Sequence, residues 1–346
     1  MWSAVLYGID RIGDQGDRTY ESKGSHNRVI MSTLLKAVAS AVVTVDSAGR
    51  IIKEVLHSGS LGIVDKATDD LQTEADRSAQ KCIVASLGKR FPKMKIIGEE
   101  GPQENLSAKP EWVVDGLDET VLEETIPTQL TDVREEDIVC WVDPLDGTKE
   151  YTQGLLDHVT VLVGFAVEGR AVAGVVHQPF YNYQKEKDIF QQGRTMWGIV
   201  GLGVRGINVR VPPANGFVVT TTRSHSSPTI NACIDSMKPT EIIRVGGAGH
   251  KVLLLMEGEA HAYVFPSPGC KKWDTCAPEA LLVAAGGALT DIHGNAIQYH
   301  AHVDHPNWGG VLAAAKKDDI ASYLRQVPKK VRDVLPVLGN KSSGKL

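Results

Sequence analysis

Ile138-Val139-Cys140-Trp141-Val142-Asp143-Pro144-Leu145-Asp146-Gly147-Thr148 is the stretch on which both fold and chemistry turn. Five apolar residues in a row predict a buried strand, and that strand delivers Asp143 at its end. Pro144 removes a backbone donor and fixes the exit angle. Asp146 follows three residues on, so a tight turn aims both carboxylates at one point. Gly147 lets another backbone approach closely, and Thr148 can begin a helix. Two carboxylates held together repel strongly unless a cation lies between them. Hard oxygen ligands, with no Cys or His between Asp143 and Thr148, suit Mg²⁺ rather than zinc, and N–H groups at a helix start suit a phosphate oxygen. The competing interpretation is an Asp-rich turn that only caps a helix.

Working outward, Lys95-Ile96-Ile97-Gly98 predicts a short strand ending in Glu99-Glu100. Taken alone, such a Glu pair is solvated surface. Trp273-Asp274 precedes a predicted helix, where Asp most commonly serves as an N-cap. Together the three places present acid at strand ends or helix starts, as divalent ions require. Apolar spacing predicts a helix over 32–58 and another over 69–90, with Asp69 as N-cap and Gln72 three residues later. Glu168-Gly169-Arg170 lies between apolar runs 159–167 and 171–176 and predicts a hairpin. Residues 101–137 are acidic and irregular. Beyond about residue 185, strands at 217–221, 242–245, 262–265, 288–292 and 311–315 alternate with a helix that follows Gly246-Gly247-Ala248-Gly249 and runs to about Glu257, and with helices near 275–285 and 317–326. The expected organisation is an α+β part over 31–185 and an α/β part over 186–335. Residues 1–30 and 336–346 are expected to be a poorly ordered extension and a flexible tail.

With 346 residues, 42% of them hydrophobic, the chain can bury a sizeable core. Its net charge of −5 and lack of a basic block argue against a nucleic-acid polymer as partner. No apolar run is long enough for a transmembrane helix. The first thirty residues lack the apolar core and cleavage site of a secretory signal. Five cysteines with no CxxC pair fit neither a disulfide framework nor a zinc ribbon, and the expected setting is the reducing cytoplasm. Gly201-Leu202-Gly203-Val204-Arg205-Gly206 matches the dinucleotide pattern GxGxxG, but an extended segment follows where that reading needs a helix. His300, His302 and His305 share no regular face and read as exposed.

Glu99-Glu100, Asp143-Pro144-Leu145-Asp146-Gly147-Thr148 and Trp273-Asp274 resemble the three signature elements of the inositol monophosphatase superfamily, Mg²⁺-dependent and lithium-sensitive phosphatases. Further runs resemble its 3′(2′),5′-bisphosphate nucleotidase branch: 68–76, Lys149-Glu150-Tyr151-Thr152, 220–225, Gly246-Gly247-Ala248-Gly249 and 267–274. The resemblance spans about 31–328. It implies a layered αβαβα sandwich, mixed α+β and α/β. It implies carboxylate ligands Glu99, Asp143, Asp146 and Asp274, with the Leu145 carbonyl, for two or three Mg²⁺. Asp76 and Thr148 match the pair that activates the attacking water. Gly147 matches a phosphate-holding position, and Thr222, His225, Gly247 and Lys251 match nucleotide contacts. The implied reaction removes the 3′-phosphate of 3′-phosphoadenosine 5′-phosphate, giving AMP and phosphate. The sulfated analogue, 3′-phosphoadenosine 5′-phosphosulfate, is an expected second substrate, and a monomer is expected rather than a dimer. The rivals are an inositol polyphosphate 1-phosphatase and a non-catalytic nucleotide-binding module.

Overall fold

The computed structural model describes residues 32–67, 70–101 and 108–336. The expected N-terminal extension, and all but the first residue of the expected tail, lie outside the described residues. Helices α1 (Thr33–Ser58) and α2 (Glu74–Arg90) pack on each other and on one face of a six-stranded sheet. Between them runs a small antiparallel hairpin, β1 (Val64–Ala67) and β2 (Asp70–Gln72). The sheet comprises β3 (Lys95–Gly98), β4 (Ile138–Asp146), β5 (Thr160–Val167), β6 (Arg170–Gln178), β7 (Arg194–Ile199) and β8 (Gly203–Arg205), in that order. Only the β3–β4 pair is parallel. The turn-rich segment ahead of β3's partner holds α3 (Glu119–Leu122), and α4 (Thr148–Thr152) follows β4 directly. Glu168 and Gly169 both take positive φ, which the twist of the β5–β6 hairpin requires.

A second sheet, ordered β10-β9-β11-β13-β12, is built from β9 (Val218–Thr222), β10 (Glu241–Val245), β11 (Ala262–Phe265), β12 (Ala288–Thr290) and β13 (Val311–Ala314). Strands β10, β9 and β11 run parallel, and β13 and β12 pair antiparallel. Helices α6 (Ala248–Met256) and α7 (Lys272–Ala284) lie between the two sheets. Helices α5 (Pro228–Met237) and α8 (Ile320–Gln326) pack on the far side of the second sheet, followed by α9 (Lys329–Arg332). The layers therefore run helix, sheet, helix, sheet, helix.

Three expectations need correction. Helix α2 begins at Glu74, not at 69. Its cap is Thr73, whose Oγ1 accepts from the Ala75 N–H at 3.2 Å, while the Thr73 N–H donates to Asp76 at 2.7 Å. The same three-residue offset is present at Asp69/Gln72 and at Thr73/Asp76; pairing of β2 with β1 settles the choice. Asp69 lies outside the described residues. Second, the first sheet does not stop at 185, because β7 pairs with β6 and β8 in turn pairs with β7. Third, β4 continues through the acid motif to Asp146 rather than ending before it. The glycines of 201–206 form the turn into β8 and the exit from it, with Gly201, Gly203 and Gly206 all at positive φ. His300, His302 and His305 are exposed. The five cysteines are buried free thiols. Among the described residues no helix is long and apolar enough to cross a membrane.

Two sheet glycines explain how α7 sits so close. Gly164 and Gly174 face each other across β5 and β6. A Cβ at Gly164 would lie 2.5 Å from the Ala277 backbone N, and one at Gly174 would lie 2.6 Å from the Ala277 O. Both obstacles are backbone, so neither can rotate away. Gly174→Ala is expected to destabilise the fold by about 1–3 kcal/mol, the scale of core overpacking, measured as a urea midpoint shift at constant slope. An unchanged midpoint would show that α7 is free to lift.

Helix α7 also carries a buried acid. The Tyr299 hydroxyl donates to Glu279 at 2.5 Å, and burial pushes the Glu279 carboxyl up to about 7 from 4.5. Between those values the native state holds more protons than the unfolded chain, so stability falls as pH rises. Glu279→Gln is expected to shallow that fall between pH 4.5 and 7, measured by urea titrations across the range. It should not abolish it, because burial raises Asp76 and Asp274 in the same sense.

Candidate active site

The acid motif ends β4 with a bulge between Asp143 and Asp146 in the pairing with β5. Asp143 turns back to accept the Leu145 N–H at 3.1 Å. Gly147 then takes φ 92°, a left-handed conformation that glycine adopts freely, and Thr148 opens α4. Asp146 is held at the start of α6: the N–H groups of Ala248 and Gly249 donate to it at 2.8 Å each, and the Thr160 hydroxyl at 2.7 Å. Close approach of α6 requires Gly247 and Gly249. A Cβ on Gly247 would lie 2.6 Å from the His158 carbonyl, and one on Gly249 would lie 2.6 Å from the Thr160 hydroxyl.

Beside them opens a cleft of about 390 Å³ at the strand ends of the two sheets. Of the expected site, Glu99, Asp143, Leu145, Asp146, Gly147, Thr148, Thr222, His225, Gly247, Lys251 and Asp274 all line it. Asp76 stands behind Thr148, fully enclosed. The Thr148 hydroxyl lies 2.9 Å from Asp76 Oδ1 and 3.1 Å from the Leu145 carbonyl, so it joins the enclosed carboxylate to the cleft. The other Asp76 oxygen accepts from the Thr73 N–H at 2.7 Å and the Thr73 hydroxyl at 2.5 Å.

The acids press on one another. Burial raises the Asp143 carboxyl well above its usual range, and the charges of Glu99, Asp146 and Asp274 raise it further. Asp143 and Asp274 stand within hydrogen-bond reach of each other. Burial pushes Asp274 up to about 7, assisted by Glu99 and Asp146. Burial also raises Glu99 and Asp146, opposed by Lys66 and Lys251 respectively. Among the described residues, no three acids, histidines or thiols are already closed into a metal cage. Each is turned onto a protein donor instead: Glu99 to Lys66 at 3.2 Å, Asp274 to the Lys271 N–H at 2.7 Å, and Asp146 to the start of α6. Two buried carboxylates, Asp143 and Asp146, and two half-buried ones, Glu99 and Asp274, lining one cleft still form a donor set that fits hard divalent cations.

Glu100 parts from Glu99. Its side chain turns toward Lys66, at 3.1 Å, and Gln72, and it is not among the residues lining the cleft. Lys251 is not a solvated surface residue. It is 5% exposed, its Nζ donates to the Gly247 carbonyl at 2.5 Å, and Asp146 favours its charge against burial. At the end of β9, Thr222 Oγ1 accepts from the His225 N–H at 3.1 Å, and the exposed His225 ring pairs with Ser224 at 2.9 Å. Sequence reasoning missed Thr160, Glu150, Tyr263 and Lys271. Thr160 and Tyr263 lie inside apolar strands where their pattern reads only as core. Glu150 and Lys271 stand in motif runs that gave them no separate signal.

Residues 34–329 match the inositol monophosphatase family, and the chain belongs to it. The human protein named 3′(2′),5′-bisphosphate nucleotidase 1 is 51% identical over 306 residues, 88% of this chain and 98% of that one. The mouse protein of the same name is 52% identical over 307 residues, with the same coverage. Among solved structures, the extragenic suppressor protein SuhB from Bartonella henselae superposes with a TM-score of 0.59 at 21% identity, covering 84% of this chain and 99% of that one. That likeness concerns the fold.

Proposed function

We propose that this chain is a Mg²⁺-dependent phosphatase that converts 3′-phosphoadenosine 5′-phosphate to AMP and phosphate, and that it also removes the 3′-phosphate of 3′-phosphoadenosine 5′-phosphosulfate. The observation that carries the reading is the meeting of two devices at one cleft: a cluster of four carboxylates, two of them buried and two half-buried, and the hydroxyl–carboxylate pair Thr148–Asp76 beside it. The names and high identity of the nucleotidase relatives support the substrate class.

Glu99, Asp143 and the Leu145 carbonyl would hold one cation, and Asp143, Asp146 and Asp274 a second. Mg²⁺ bound there would supply Lewis acidity, easing deprotonation of water and balancing charge on the phosphate. Thr148 orients the attacking water through its hydroxyl. The water's proton goes to the Thr148 oxygen as the Thr148 hydroxyl proton goes to Asp76, whose carboxyl burial pushes up to about 7, making it a better proton acceptor than an exposed carboxylate. The new O–P bond forms as the P–O3′ bond breaks, and the 3′-oxygen leaves with a proton from solvent. Thr222, Ser224 and His225, which also line the cleft, are left to contact the nucleoside and its 5′-phosphate. Li⁺ would compete for the same oxygen ligands.

The test is the rate of phosphate release in Mg²⁺ from adenosine 3′,5′-bisphosphate against inositol 1,4-bisphosphate, with the His225→Ala variant run beside the wild type. The nucleotide should be cleaved faster. The variant should raise KM for the nucleotide more than it lowers kcat, because the contact is made equally in the ground and transition states. Faster cleavage of the inositol substrate, unaffected by the variant, would assign the cleft to inositol polyphosphates.

A further inference from the structure

Glu99 depends on a turn that leaves the sheet. Its N–H still donates to the Val142 carbonyl on β4 at 3.1 Å, and the chain then closes with the Gly101 N–H on the Gly98 carbonyl at 3.2 Å. The turn leaves the Glu100 N–H and the Gly101 carbonyl facing inward. One side chain takes both: Gln80 Oε1 accepts from Glu100 N at 2.9 Å, and Gln80 Nε2 donates to the Gly101 carbonyl at 3.0 Å. Gln80 is fully buried. Gly98 makes room for it, since a Cβ there would run into Gln80 Oε1 and lie 2.6 Å from its Cδ. Gln80 also stands four residues after Asp76, so both project from the same face of α2, one turn apart.

We infer that Gln80 is a positioning residue that sets the metal-facing carboxylate of Glu99 in register with Asp76 by clamping the Gly98–Gly101 turn to α2. The inference rests on the metal reading proposed above. A side chain that holds the turn directly after a ligand acts as an outer support of a metal site, and loss of outer support typically weakens metal binding 10–100-fold. A merely structural amide would lower stability without that loss.

The test is isothermal titration calorimetry of the full chain with Mg²⁺ alone, for wild type, Gln80→Ala, Gly98→Ala and the double variant. Gln80→Ala should weaken Mg²⁺ binding by about 10-fold or more. Gly98→Ala should weaken it in the same sense, because its Cβ displaces the amide while Gln80 remains. In the double variant the Cβ enters space that Gln80 has vacated, so Gly98→Ala should add little, a non-additive pair. Should Gln80→Ala fail to fold, Gly98→Ala alone carries the test. Wild-type Mg²⁺ affinity in a folded single variant with a lowered melting temperature would overturn the positioning role and leave the metal reading intact. Absence of Mg²⁺ binding by the wild type would overturn both.

Discussion

Asp146→Asn is expected to reduce phosphate release by about 10³-fold or more while the protein still folds. Charge stabilisation by a bound cation is worth several kcal/mol, and each 1.4 kcal/mol or so is tenfold in rate. An amide keeps the shape of the side chain but brings no charge to a Mg²⁺ site. The fold should tolerate the change for two opposing reasons. Asp146 accepts three hydrogen bonds, from Thr160 and the first N–H groups of α6, and an amide nitrogen facing one of them would forfeit about 1 kcal/mol. Against that, removing one of four mutually repelling acids relieves Asp143 and Asp274. Steady-state turnover on adenosine 3′,5′-bisphosphate, with a thermal melt beside it, checks both halves. Near wild-type turnover in a folded variant would remove Asp146 from the metal site.

Thr148→Ala and Asp76→Asn should each cost about 10²-fold or more in turnover, the scale of lost general-base catalysis. Because Asp76 is enclosed and Thr148 stands between it and the cleft, the two should act as one unit. The double variant should therefore be little worse than either single one. Thr148→Ser, which restores the hydroxyl, should recover most of the loss. If either substitution only raised the Mg²⁺ needed and left saturated turnover unchanged, the pair would belong to metal binding rather than to water activation.

How much the sequence reveals depends on whether a residue acts near its own place in the chain. The acid motif is legible because an uninterrupted apolar run, a proline and a glycine all act within a few residues of Asp143 and Asp146. The hairpin at Glu168-Gly169 is legible for the same reason. The start of α2 is not, since Asp69/Gln72 and Thr73/Asp76 offer the same capping pattern and only the pairing of β2 decides between them. The extent of the first sheet is hidden because the segment between β6 and β7 is rich in turns and resembles a boundary. Gly164 and Gly174 look like weak points in strands until α7 is laid across them. Thr160 and Gln80 carry no local signal at all. Their partners lie 14 and about 20 residues away, across a sheet and from helix to turn. Lys251 shows the converse: its place after Gly247-Ala248-Gly249-His250 marks an anion-binding entry, while its burial against Asp146 comes only from the packing of α6.

Which phosphate leaves distinguishes a 3′-nucleotidase from any other phosphatase acting on this nucleotide. Adenosine 3′,5′-bisphosphate incubated with the purified chain and Mg²⁺, and followed by ³¹P NMR, should lose its 3′-phosphate signal. It should accumulate AMP and inorganic phosphate in equal amounts, and the reaction should stop when EDTA is added. Accumulation of adenosine 3′-monophosphate, or phosphate release that continues undiminished in excess EDTA, would contradict the Mg²⁺-dependent 3′-nucleotidase reading.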